Sequence, residues 1–260
     1  MSIGSIPSMD LVDCMDTAKT PPCSSLFCLP AFQISPSALV SRVPTAVTDV
    51  TREDFQKQHA AFLAAAEWAE WKPADIFKRA DLREIFERDA PFELDIGCGE
   101  GAFLLEMARR HPERNFLGIE RLLGRVSKVC RAAAREGLTN VRVLRLESAY
   151  VMKHILPLGS VAVAYVSFPD PWPKRHHQRR RLIQDEFLKD LRDVIVPGGE
   201  LRLKTDDLPY FHWMQKVVAR AEGWEPLDWP EDPEYPITNF ERRFLAQGLP
   251  INKARLRKVE

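Results

Sequence analysis

The sequence predicts an α/β chain whose core is a doubly wound, mostly parallel sheet. Three observations lead there. From Pro91 onward, apolar runs of strand length alternate with stretches of helical period. A glycine-rich turn, GCGEG at 97–101, joins the first of those strands to a helix. Acids stand at or just past the ends of successive strands, at Asp95, Glu120, Glu147 and Asp170, and the carboxyl ends of the strands are where such sheets bind ligands.

Each element follows in order. Phe92–Ile96 reads as a strand running into the glycine turn, and Phe103, Leu104, Met107 and Ala108 then mark a helix face. Asn115–Ile119 is a second strand; Leu122, Val126, Val129, Cys130 and Ala133 mark a helix ended by Gly137. Val141–Leu146 and Val161–Phe168 read as strands separated by a short helix. Phe187, Leu188, Leu191, Val194 and Ile195 form a helix face stopped by the PGG at 197–199. Leu201–Lys204 is the next strand, followed by a helix carrying Phe211, Met214, Val217, Val218 and Ala221. Residues 224–258 lack helical period and suit an antiparallel strand pair that closes the sheet.

The start of the chain differs. Residues 1–50 are rich in Ser, Thr and Pro, poor in charge and without a period, so they are expected to form a disordered N-terminal extension. Asp10, Asp13 and Asp16 argue against a secretory leader. Residues 51–90 are expected to hold N-terminal helices, one with Phe55, Phe62, Leu63 and Ala66 on one side and another over Ala80–Arg88. The main domain is expected over 91–260.

Composition narrows the function. With 37 Lys+Arg against 37 Asp+Glu the formal net charge is zero, which excludes a generally basic nucleic-acid binder and leaves room for a local patch. Residues 174–181 supply that patch. No apolar run approaches the ~20 residues of a membrane span, so no membrane partner is expected. Cys14, Cys23, Cys28, Cys98 and Cys130 form no CxxC pair and no zinc spacing, which predicts reduced thiols, a cytoplasmic protein and no metal.

Charge also selects the cofactor. GCGEGA satisfies the dinucleotide fingerprint, but carboxylates around the turn would repel a pyrophosphate. S-adenosylmethionine brings a sulfonium and an ammonium, which carboxylates stabilise, and Glu120 can chelate its ribose hydroxyls. The competing reading of these acids, as helix N-caps or solvated loop residues, suits any one of them better than the whole set. S-adenosylmethionine is therefore the expected cofactor.

The motifs DIGCGEG, FLGIE, FPDPWPK, RRRL, LKTDDLPY and TNFERR, in this order, resemble the bacterial tRNA (guanine-N7)-methyltransferase family over about residues 90–258. The resemblance implies a Rossmann-like, seven-stranded class I methyltransferase fold and methyl transfer to tRNA, at guanine 46 of the variable loop. It implies cofactor contacts at Asp95, Gly97, Gly99, Gly101, Glu120, Glu147 and Asp170. Asp170 becomes the central acid where cofactor and target base meet, and the catalytic residue. Lys174, Asp206, Thr238, Asn239, Phe240 and Glu241 match the family's substrate-binding positions. Arg175, Arg179, Arg180 and Arg181 are read as phosphate contacts. The sequence departs from the pattern at Glu147, where the family has Asp or Asn, and at His176, where it has arginine. Neither reading separates monomer from homodimer.

The chemistry agrees with the motifs. Guanine N7 carries an unprotonated lone pair, so no base must remove a proton first, and catalysis reduces to placement. The N1–H and exocyclic amine of guanine are donors, which suits Asp206, Glu241 or Asp170. Trp172 reads as packing between prolines, and His176 and His177 as phosphate neighbours. Two other readings remain: a non-catalytic RNA-binding subunit, and a methyltransferase for another RNA or a small molecule.

Overall fold

The computed structural model describes residues 51–230 and 235–259; the expectation for residues 1–50 lies outside them. Thr51 opens helix α1 (Arg52–Ala69) through a capping box with Asp54. β1 (Glu70–Trp71) and the single turn α2 (Leu82–Ile85) follow. The helix expected over Ala80–Arg88 stops this early because Phe86 is already extended and Arg142 takes the carbonyls of Glu84 and Ile85. Those acceptors need no further turn.

The alternating part runs β2 (Phe92–Ile96), α3 (Ala102–Arg110), β3 (Asn115–Ile119), α4 (Leu123–Glu136) and β4 (Val141–Leu144). It continues with α5 (Ser148–Tyr150), which passes into a π turn at Val151–Ile155, then β5 (Val161–Ser167), a 3₁₀ segment at Arg175–Arg180 and α6 (Asp185–Val194). β6 (Ile195–Thr205), α7 (Leu208–Val218), β7 (Trp224–Leu227), α8 (Asn239–Ala246) and β8 (Asn252–Lys258) complete the chain. Strand order is β1-β4-β3-β2-β5-β6-β8-β7. β1 to β6 pair in parallel, and β8 lies antiparallel between β6 and β7. Helices cover both faces, one around Leu94, Ile96, Phe187 and Leu203, the other around Phe103, Val126, Val129 and Tyr165.

The expected class holds, with an eighth strand added to the expected seven. That strand, β1, is two residues long and exists only because the edge of β4 is there to pair with it. α6 ends at Val194, so Ile195, expected on its apolar face, instead opens β6, and the PGG expected to stop that helix lies within the strand, where the pairing skips from Val161–Ile195 to Val163–Glu200. A Cβ on Gly199 would meet the carbonyl of Ala162 at 2.8 Å, so the close approach at this irregularity needs glycine. Order reverses between β2 and β5, which opens a crevice at their carboxyl ends. No helix among the described residues is long and apolar enough to cross a membrane.

Candidate active site

Asp95, the penultimate residue of β2, is almost fully buried, and its Oδ2 has no hydrogen-bond partner. Burial first, and the neighbouring Glu120 second, push its pKa from the ordinary 3.8 up to about 7. A buried carboxylate with an unused oxygen is costly until something cationic meets it. Gly101 then lets α3 start against α4: its φ is +77°, and a Cβ there would stand 2.7 Å from Val129.

Glu120 follows β3. Its Oε1 accepts from the N–H groups of Arg121 and Leu122 at 2.8 and 2.9 Å, and its Oε2 from Gly99 at 3.1 Å. Oε2 retains a lone pair for a hydroxyl donor. Glu147, exposed after β4, caps α5 by accepting from the Tyr150 N–H at 2.8 Å, with its other oxygen unused by that cap. Asp170 is exposed beyond β5, between Phe168 and Trp172, whose φ values are +55° and +44°. Gly97, Glu120, Glu147 and Asp170 line one cavity of about 590 Å³. Asp95 lies off that lining, near Tyr235, which packs on Phe103 and Tyr165 with ring centroids 5.1 and 5.8 Å away. Nothing in the sequence pattern marks Tyr235.

The substrate-side expectations divide. Asp206 is exposed after β6, while its neighbour Asp207 caps α7. Lys174, Arg175, Arg179 and Arg180 are exposed, with the Arg180 guanidinium 5.0 Å from the Trp172 ring centre. Asn239 begins α8, and Phe240 remains 54% exposed while its ring stands 5.6 Å from that of Phe168. Thr238 is the N-cap of α8, accepting from the Glu241 N–H at 3.0 Å.

Two positions depart from expectation. Arg181 is not a surface phosphate contact: it is 5% exposed, donates from Nε to the Pro171 carbonyl at 2.8 Å and lies over Tyr210 and Trp213. Glu241 is not a free acceptor for a base: it is buried and takes both its bonds from Lys204, at 2.8 and 3.1 Å. In each case the fold has consumed the charge internally.

The acceptors fit S-adenosylmethionine: the buried Asp95 has an orphaned oxygen that suits an ammonium, and Glu120 beside the glycine turn keeps a lone pair that suits a ribose hydroxyl. The cavity itself carries both signs, Glu120, Glu147 and Asp170 against Arg121, Arg125 and Arg180.

Comparison with known proteins agrees. Residues 89–254 match a family model described as a putative methyltransferase. The tRNA (guanine-N(7)-)-methyltransferase of Syntrophotalea carbinolica is 38% identical over 177 residues, covering 66% of this chain and 76% of that protein. The enzyme of the same name from Leifsonia xyli is 42% identical over 170 residues, covering 63% and 74%. Among solved structures, the 16S rRNA methyltransferase KamB superposes with a TM-score of 0.54 at 19% identity, covering 74% of this chain and 99% of that one. The antibiotic-resistance methyltransferase Kmr gives 0.51 at 22%, covering 74% and 97%. These two show the fold alone.

Fold and site together define a class I methyltransferase, an enzyme that uses S-adenosylmethionine. Within that class the chain belongs to the tRNA (guanine-N7-)-methyltransferase family.

Proposed function

We propose that this protein transfers a methyl group to N7 of a guanine in tRNA, and that the target is guanine 46 of the variable loop. The observation that carries the reading is one crevice lined by Glu120, Glu147 and Asp170 at the carboxyl ends of successive strands, with an exposed basic segment beside it.

S-adenosylmethionine supplies an electrophilic methyl group on a sulfonium. Asp95 holds the ammonium of that cofactor, Glu120 its ribose hydroxyls, and Glu147 lies on the adenine side. The chain's remaining task is placement. N7 attacks with a lone pair it already has, so no residue need serve as a general base. Asp170 sits where the base enters and faces a purine that becomes cationic as the methyl arrives; a preplaced carboxylate stabilises that charge without reorganising. Asp206 is exposed and free to accept from the N1–H and amine edge of guanine. Phe240 offers a ring to a base face. Lys174, Arg175 and Arg179 hold phosphates and so set the register of the RNA.

The test is nucleoside mass spectrometry of unmodified tRNA incubated with the protein and S-adenosylmethionine. 7-Methylguanosine, lost when guanine 46 is replaced by adenine, is expected. An N1-methyl or N2-methyl product would refute the substrate assignment, and 7-methylguanosine that persists in the replaced transcript would refute the position.

A further inference from the structure

The basic segment ends in a residue that cannot do what its neighbours do. Arg179 and Arg180 are exposed, whereas Arg181 is buried. Its Nε–H donates to the carbonyl of Pro171, the residue directly after Asp170, at 2.8 Å. Its guanidinium lies 4.8 Å from the ring centre of Tyr210 and 5.5 Å from that of Trp213, both on α7. That seat is itself pinned. The Tyr210 hydroxyl accepts from the Ile183 N–H at 3.1 Å, and the Trp213 indole donates to the Ile183 carbonyl at 2.9 Å. Gln184 in turn donates to the Arg181 carbonyl at 3.0 Å.

The consequence is geometric. α7 begins immediately after Asp206, and its cap is Asp207. Arg181 therefore ties the loop that carries Asp170 to the helix that fixes the loop carrying Asp206. We propose that Arg181 is a positioning residue for methyl transfer, setting the carboxylate of Asp170 relative to that of Asp206. It acts through the Pro171 carbonyl and touches neither tRNA nor cofactor. Only arginine suits the seat, because a planar guanidinium both stacks on two rings and directs an N–H at a fixed acceptor. The ammonium of lysine has no such plane.

The inference rests on the proposed methyl transfer, so wild-type protein is one arm of its test. No methyl transfer to tRNA by the wild type would refute that reading and take this proposal with it. The other arms are Arg181→Lys, Arg181→Met and, as the surface comparison, Arg179→Ala. Each is measured for single-turnover rate at saturating tRNA and S-adenosylmethionine, for half-saturation by tRNA, and for the salt dependence of tRNA binding. Both Arg181 variants should melt cooperatively yet lose about ten- to hundredfold in saturated rate, the scale expected for a small misplacement of a positioning group. Their tRNA half-saturation and salt dependence should stay as in the wild type. Arg179→Ala should instead raise the tRNA half-saturation and flatten the salt dependence of binding. Three results would overturn the proposal. One is a wild-type saturated rate in either Arg181 variant. Another is weaker tRNA binding with a flatter salt dependence in Arg181→Lys. The last is loss of the cooperative melt in both variants, which would assign Arg181 to the core.

Discussion

Asp170 is held still by more than its two prolines. Phe168 and Trp172, on either side, have φ values of +55° and +44°, a region that costs a non-glycine residue of order 1–3 kcal/mol and persists only where the surroundings over-determine it. They do so here. The Phe168 N–H donates to the Lys204 carbonyl at 2.8 Å, and its ring packs against Phe240 and Phe244. Trp172 is flanked by Arg180 and His177. Such a turn preplaces its carboxylate, so Asp170→Asn should keep the fold and lower single-turnover methyl transfer by about 10²-fold or more, with the loss in placement and charge. Measured across pH 6–9, the residual rate should gain no new inflection, because N7 has no proton to lose. Wild-type rates would reduce Asp170 to a turn residue. The prolines that fence Asp170 are visible in the sequence. The left-handed backbone is not, because two aromatic residues occupy positions that usually advertise themselves with glycine.

α8 shows how an element can be signalled by its cap and hidden by its period. Its eight residues lie in a tail with no helical pattern, yet Thr238-x-x-Glu241 is a capping sequence, and the Thr238 hydroxyl accepts the Glu241 N–H. Thr238→Ala should lower unfolding free energy by about 0.5–2 kcal/mol in denaturant titration. The Lys204–Glu241 pair beneath it matters differently: both side chains are 3% exposed or less, and burial holds the lysine pKa below its ordinary value. Glu241→Ala leaves a buried cation unpaired and should cost about 3–5 kcal/mol. The double change Lys204→Met with Glu241→Leu should recover most of that; a double variant no more stable than Glu241→Ala would mean that the pair is not the main term. This pairing was invisible in the sequence because its partners are 37 residues apart and each, alone, reads as a surface charge. The same blindness applies to Arg181, which looks like the last member of a basic run until its seat on α7 is seen. By contrast, the strands and acids around the cofactor cavity were legible, since parallel central strands are apolar runs and the acids stand at their ends.

At the scale of the whole molecule, charge and proton linkage connect the site to stability. Net charge is zero, so attraction to tRNA must come from the local cluster, and Arg175→Ala with Arg179→Ala should flatten the slope of log affinity against log salt by about 0.7–0.9 per lost phosphate contact. Unchanged slope would return both residues to a solvated face. The cofactor side links to pH through Asp95, whose pKa rises from 3.8 in the open chain to about 7 in the fold. The folded form thus holds a proton that the unfolded form has released. Between about pH 4 and 7 the free protein should therefore lose stability as pH rises, with no further change from this group above or below that window. If Asp95 holds the ammonium of S-adenosylmethionine as proposed, the cofactor reverses the preference, because the ammonium stabilises the ionised carboxylate and binding expels the proton. Its affinity should climb from pH 5.5 to about 7 and then level. Saturation at 100 times the dissociation constant adds about 2.7 kcal/mol, so at fixed ligand the thermal shift should be larger at pH 7.5 than at pH 5.5. Asp95→Asn removes the titrating group: it should raise the stability of the free protein at pH 7.5, weaken cofactor binding and abolish the pH dependence of the shift. A shift of equal size at both pH values in the wild type would mean that Asp95 is already ionised before the cofactor arrives.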